Sequence, residues 1–233
     1  MSFRFKQFTV NDDACAMKVG TDGVLLGAWA ELSSVSSTQV LDIGTGSGLI
    51  ALMVAQRYPY ARIDAIDIDA AAISQAADNF AASPWNNRLN AYCAPLQSFQ
   101  NTDKRYDLIV SNPPYFIDSL KNPDKLRQTA RHTDTLSYAD LVAGAAQMLA
   151  KNGIFALILP ADAEQIFLSI SQKEGLFPAR LTYVHSTPAK PPKRILLALQ
   201  KGVTDCSITH FNIASNDAPR SSEYQTLTAD FYL

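Results

Sequence analysis

The chain has 233 residues, 20 Lys+Arg against 22 Asp+Glu, a formal net charge of -2, 47% hydrophobic residues and only 18% charged ones. That length suits one large α/β domain, or a domain with an extension, and suffices for a sizeable core. The near-neutral charge excludes a polybasic nucleic-acid coat but not a local basic patch, because binding is decided by the field in one cleft.

The N-terminus, MSFRFKQFTV, alternates apolar and polar residues without a continuous apolar run, so it reads as an early strand and not as a signal peptide. The longest apolar stretches, such as Ile154 to Leu159, fall far short of the roughly 20 residues a membrane helix needs. A cytoplasmic protein with no membrane association is expected. Cys15, Cys93 and Cys206 are widely spaced with no CxxC pair, which argues against a disulfide framework and against a zinc site. Each reads as a small buried or half-buried side chain, and no metal is expected.

Thr21-Asp22 opens an apolar helix, VLLGAWAEL, and residues 1–37 read as an extension packing on the sheet and overhanging the strand ends. Residues 38–233 read as the main domain. From Thr38, short β-branched runs alternate with helical periods, the pattern of a parallel sheet with crossover helices. The strands are QVLDI, RIDAIDI, Leu89 to Cys93, YDLIVS, Ile154 to Leu159, Arg180 to His185 and Arg194 to Gln200. Between them lie a helix from about Leu49 and one capped by Asp69 whose Ile73, Ala76, Ala77 and Phe80 share a side. Ser137 to Asp140 resembles a capping box opening another helix, with Gly153 just past its end. The fold class is α/β, doubly wound, with a mostly parallel sheet of about seven strands and flanking helices.

The first strand runs into Asp42-Ile43-Gly44-Thr45-Gly46-Ser47-Gly48. Glycines here allow positive φ and bring backbone amides close to a ligand at a helix N-terminus. Read from Gly46, the same loop satisfies a dinucleotide fingerprint, so an NAD-linked oxidoreductase stays open as an alternative. Asp42 stands where a pyrophosphate would lie nearby; a carboxylate repels phosphates but suits a cationic ligand. S-adenosylmethionine, with a sulfonium and an ammonium, is such a ligand. Asp67, at the end of the second strand, is placed to accept hydrogen bonds from ribose hydroxyls.

The fourth strand ends in Asn112-Pro113-Pro114-Tyr115. Neither proline can donate to a ladder, and Pro113 keeps Asn112 out of the α region. The stiff corner leaves the Asn112 side-chain oxygen and the Pro113 carbonyl facing the cleft over the strand ends. Two convergent acceptors suit a planar NH2 group: they draw its lone pair out of conjugation and aim it at a methyl donor. Tyr115 offers a ring for stacking an unpaired base. Direct transfer by positioning needs no covalent intermediate. His132, His185 and His210 show no triad arrangement.

These motifs together resemble the class I, Rossmann-like S-adenosylmethionine-dependent amino-methyltransferases. With KVGTDGVLLGAWA, ARHTDTLSYADLV and KPPKRILLAL, the chain is similar over nearly its whole length to the bacterial tRNA1(Val) (adenine(37)-N6)-methyltransferase family. The resemblance implies S-adenosylmethionine as cofactor, S-adenosylhomocysteine as product and tRNA as partner, with no obligate protein partner evident. It also implies that Asp42, Gly44 and Gly46 hold the methionine part, Asp67 the ribose, and Asn112 to Tyr115 the target adenine, with Thr21 and Asp22 close to the cofactor. One departure stands out: many relatives carry Asp just after the third strand, where this chain reads Cys93-Ala94-Pro95-Leu96, leaving adenine recognition to the Ala94 backbone and apolar stacking. Other acceptors remain open from the motif alone: guanine N2 in rRNA, adenine in DNA, or a release-factor glutamine. A basic run, Lys121, Lys125, Arg127 and Arg131, joined by Lys190, Lys193 and Arg194, is a candidate phosphate-contacting rim.

Overall fold

In the computed structural model, residues 2–32, 38–99, 103–114 and 136–232 are described. The N-terminal alternation makes two short antiparallel strands, β1 (Ser2–Arg4) and β2 (Thr9–Asn11), rather than one. Helix α1 (Thr21–Trp29) follows, then β3 (Gln39–Ile43), α2 (Leu49–Arg57), β4 (Arg62–Asp67), α3 (Ala70–Ala81), β5 (Leu89–Cys93), α4 (Leu96–Phe99) and β6 (Tyr106–Ser111). Beyond the undescribed stretch come α5 (Tyr138–Met148), β7 (Leu149–Pro160), α6 (Glu164–Lys173), β8 (Leu176–His185), β9 (Pro192–Lys201), β10 (Ser207–Asn212) and α7 (Ser222–Thr228).

The main sheet has eight strands in the order β10-β8-β9-β7-β6-β3-β4-β5. Only β9 runs against its neighbours, so the sheet is mostly parallel and doubly wound. The eighth strand, β10, goes beyond the seven expected: it pairs with β8 in parallel from Ser207 to Asn212. It lies at an edge and buries only Phe211, so its sequence lacks the apolar run that marks the inner strands.

The sheet separates two apolar clusters. Val40, Ile63, Leu108, Val110 and Ile158 face α1, α2, α3 and the N-terminal hairpin, while Leu41, Ile43, Ile109, Phe155 and Leu157 face α5 and α6. Alternate side chains of the inner strands thus fill opposite cores. Helix α2 is buried from Leu49 to Ala55, sandwiched between the sheet and α1. The contact with α1 is close because Gly27 has no side chain: a Cβ there would lie 2.7 Å from Met53 Sδ. Trp29, at the end of α1, donates its indole N–H to Thr182 Oγ1 at 3.1 Å, and the Arg180 guanidinium sits 3.7 Å above its ring. Residues of 1–37 therefore contribute to the same core as the sheet.

Three local expectations are corrected. In α3 the buried face is Ala72, Ala76, Asn79 and Phe80; Ile73 is half-buried and Ala77 exposed, because the helix turns Phe80 towards Gly48. The Ser137 cap is present, with Ser137 Oγ accepting from the Asp140 amide at 3.1 Å, but Gly153 does not end the helix. Strand β7 begins at Leu149 directly after α5, and Gly153 lies within it where register shifts between Tyr106 and Leu108. A Cβ there would come 2.8 Å from the Tyr106 carbonyl oxygen. Cys93 is exposed, whereas Cys15 is buried and Cys206 intermediate.

Candidate functional site

Strand register sets the site. Ile43 pairs with Ile66 on one side and Ser111 on the other, and Asp67 pairs with Cys93. The glycine loop, Asp67, the Ala94–Leu96 turn and Asn112 therefore leave the sheet at one level. Ser111 Oγ donates to the Ile43 carbonyl at 2.9 Å, tying the ends of β3 and β6 together. Strand order reverses at β3, so crossovers diverge there and open a crevice at the carboxyl edge. A cleft of about 780 Å³ lies in that crevice, roofed by the segment from Cys15 to Gly23.

Gly44, Gly46 and Gly48 have φ of 71°, 54° and 82°. A Cβ on Gly48 would come 2.4 Å from Phe80 Cε1, so this glycine also lets α3 pack against the loop. Gly44 and Gly46 line the cleft, and a Cβ on either would meet nothing within 4 Å. The loop amides are used inside the protein: those of Gly44 and Thr45 donate to the Ile66 carbonyl, Gly46 to Asp67 Oδ2 at 3.0 Å, and Gly48 to the Thr45 carbonyl. A phosphate cradle needs such amides pointing at the ligand. Here they hold a carboxylate beside the cleft, so the loop does not have the character of a pyrophosphate site.

Asp42 is corrected from a cleft residue to a support beneath the loop. It is fully buried and does not line the cleft. Its Oδ2 accepts from Thr45 Oγ1 at 2.7 Å and from the Ala51 amide at 3.2 Å, in the first turn of α2. Oδ1 is buried without a partner among the described residues. Burial pushes the Asp42 carboxyl up to about 7, against the lowering effect of the two hydrogen bonds, with the nearby Asp67 charge adding to the rise. Thr45, which does line the cleft, transmits its position.

Asp67 is half-buried and lines the cleft, its Oδ2 held by the Gly46 amide and its Oδ1 accepting from the Asp69 amide at 3.1 Å. Next to it Ile68 is 56% exposed and, with Pro95 and Leu96, makes an apolar wall. The Ala94 amide donates to the Asp67 carbonyl at 3.0 Å, which ties the turn before Pro95 to the end of β4.

Across the cleft, Asn112 and Pro114 line the opposite wall while Pro113 is buried beneath them. Asn112 Nδ2 donates to Met17 Sδ at 3.6 Å. Tyr115, Lys121, Lys125, Arg127 and Arg131 lie outside the described residues. Thr21 and Asp22 line the cleft, but Asp22 Oδ2 accepts from Arg194 Nε at 2.9 Å. Arg194 is thus the ion-pair partner of Asp22: β9 runs antiparallel to β7 and brings Arg194 opposite Pro160, at the cleft edge. Lys190 and Lys193 are exposed. The roof residue Met17 and the wall residue Ile68 carry no sequence signal of their own; they are recognisable only by lying beside KVGTDG and Asp67.

Comparison with known proteins bears on this arrangement. The family model described as "Methyltransferase small domain" matches residues 23–166. A tRNA1(Val) (adenine(37)-N6)-methyltransferase from Phocaeicola vulgatus is 50% identical over 231 residues, covering 99% of this chain and 97% of that protein. One of the same name from Aeromonas hydrophila is 47% identical over 232 residues, again covering 99% and 97%. Among solved structures, a predicted O-methyltransferase from Agrobacterium tumefaciens superposes with a TM-score of 0.69 at 16% identity, covering 90% of this chain and 96% of that one. Ribosomal protein L11 methylase from Lactobacillus delbrueckii gives 0.57 at 18% identity, covering 82% and 84%. At such identities the structures speak for the fold.

Proposed function

The chain belongs to the tRNA1(Val) (adenine(37)-N6)-methyltransferase family, within the methyltransferase small domain group, and we propose on that premise that it methylates the exocyclic nitrogen of adenine 37 in tRNA1(Val). S-adenosylmethionine, when bound, supplies a methyl group made electrophilic by its sulfonium. The residues present fit that donor: Gly44 and Gly46 leave open space where side chains would intrude, and Asp67 sets a carboxylate beside an apolar wall of Ile68, Pro95 and Leu96. Asp67 accepts the ribose hydroxyls, Gly44 and Gly46 border the methionine part, and Asp42 keeps the loop in register through Thr45 and Ala51.

The acceptor side belongs to Asn112 and Pro113. The Asn112 side-chain oxygen and the Pro113 carbonyl accept the two amino hydrogens of adenine, which holds the nitrogen lone pair out of conjugation and facing the donor. Pro114 walls the base and Tyr115 stacks on it. The rate comes from orientation and from fixed dipoles aimed at the charge that develops on the amine. Lys190 and Lys193, with Lys121, Lys125, Arg127 and Arg131, contact phosphates around the opening. A cytoplasmic enzyme fits this substrate, and among the described residues no helix is long and apolar enough to cross a membrane.

The observation that carries this reading is the cleft itself, with the glycine loop and the Asp67 carboxylate on one wall and Asn112 and Pro114 on the other. Purified protein should transfer labelled methyl from S-adenosylmethionine to unmodified tRNA1(Val). Asn112→Ala should lower kcat by about 100-fold or more while changing the Kd of S-adenosylmethionine less than threefold. Transfer to a release-factor peptide and not to RNA would overturn it.

A further inference from the structure

A second cavity, of about 750 Å³, lies on the other side of the roof from the cleft, and residues 19–21 line both. It is bounded by the N-terminal hairpin and by α7 with the turn after it. Arg4, Lys6 and Arg220 line it, and no acidic residue does among the described residues. None of the three makes an ion pair among the described residues, although the chain as a whole carries a net charge of -2. The Arg220 guanidinium lies 4.5 Å over the Tyr224 ring, which holds its planar fork in place. Lys6 Nζ spends one of three N–H groups on the Ala229 carbonyl at 2.6 Å, which anchors the ammonium at the cavity wall. Phe3 and Tyr232, with ring centroids 6.0 Å apart, supply aromatic surface between these cations. Glu223, beside Tyr224 in sequence, is turned away to accept from the Asn212 amide.

Three cations without an ion-pair partner among the described residues, around an aromatic floor, match a nucleotide: phosphate oxygens meet the rim, and a ribose or base lies over the rings. We propose that this cavity is a second contact for the acceptor tRNA, taking a phosphate-bearing nucleotide outside the reacting adenine. The inference rests on the reading of tRNA as acceptor. The shared wall places this nucleotide next to the roof over the reaction cleft, so RNA seated there also bears on residues 19–21.

The test removes the cations and reads binding apart from chemistry. Arg4→Gln/Lys6→Gln/Arg220→Gln should weaken tRNA binding about tenfold or more, and lower the slope of log Kd against log salt by about 2, since each lost phosphate contact removes roughly 0.7–0.9. The Kd of S-adenosylmethionine and kcat at saturating tRNA should stay within twofold. Arg4→Glu/Arg220→Glu leaves the Lys6 anchor intact and gives the same result if the triple variant folds poorly. Lys151→Gln/Lys173→Gln removes exposed charges elsewhere and should leave the slope unchanged. An unchanged slope in the cavity variants, or an equal fall in the Lys151/Lys173 control, overturns the inference. Absence of methyl transfer from the unaltered protein to tRNA would instead overturn the reading beneath it, and is seen before any variant is compared.

Discussion

Replacing Gly48 by alanine puts a methyl group where the fold has no room for one. The backbone there has φ of 82°, and the new Cβ would lie 2.4 Å from Phe80 Cε1 and 2.9 Å from Cζ. A left-handed conformation costs an ordinary residue about 1–2 kcal/mol. Phe80 is only 3% exposed, so its ring can retreat little, and overpacking adds about 1–3 kcal/mol. The sum is about 2–5 kcal/mol, enough to lower a urea midpoint by roughly 1 M at a slope of about 3 kcal/mol/M. Gly46→Ala supplies the internal comparison: φ is 54°, but nothing lies within 4 Å of its Cβ and the residue lines the cleft. It should lose only the backbone cost of about 1–2 kcal/mol, yet weaken S-adenosylmethionine binding, measured by calorimetric titration, more than Gly48→Ala does in its folded fraction. Equal destabilisation by the two substitutions would refute the assignment of Gly48 to packing and Gly46 to the ligand surface.

Asp42 predicts a pH effect on stability. Its carboxyl is held at about 7 when folded against 3.8 as a free side chain, so the folded state binds the extra proton between these values and stability falls as pH rises through that window. The gap corresponds to roughly 4 kcal/mol, of which about 2–3 kcal/mol falls between pH 5 and pH 8. Denaturation of Asp42→Asn at both pH values should show that loss removed; identical pH slopes in the two proteins would contradict it. Asp67→Ala strips the Gly46 amide of its acceptor and the cleft of its carboxylate, so S-adenosylmethionine affinity should fall tenfold or more, with about 1–3 kcal/mol lost from stability. Trp29→Ala should cost about 3–5 kcal/mol in the same denaturation assay, because the buried indole bonds Thr182 and stacks under Arg180, joining the end of α1 to β8.

The central strands and both cleft motifs were legible because inner parallel strands are continuous apolar runs and their ends carry Gly, Asp, Asn and Pro, whose backbone constraints are local. Ser137 was legible for the same reason: a cap needs only its own hydroxyl and the next turn. What escaped depended on partners distant in sequence. Strand β10 buries one residue and is defined by its ladder with β8. Gly153 looks like a helix stop in isolation, yet answers to Tyr106 across the sheet. The partners of Asp42 and Arg194 were not legible either: Asp42 folds under the loop to Ala51, and Arg194 reaches Asp22, 172 positions away. Charge pattern indicates what a residue can bind, and only packing decides which partner is within reach.

The most direct measurement of the account is nucleotide-resolution mass spectrometry of tRNA1(Val) from cells lacking this protein, then supplied with the unaltered chain or with Asn112→Ala. Adenine 37 should lose one methyl group in the deleted cells, regain it with the unaltered chain and fail to regain it with Asn112→Ala. Persistence of the methyl at adenine 37, or its loss from a different nucleotide, would contradict it.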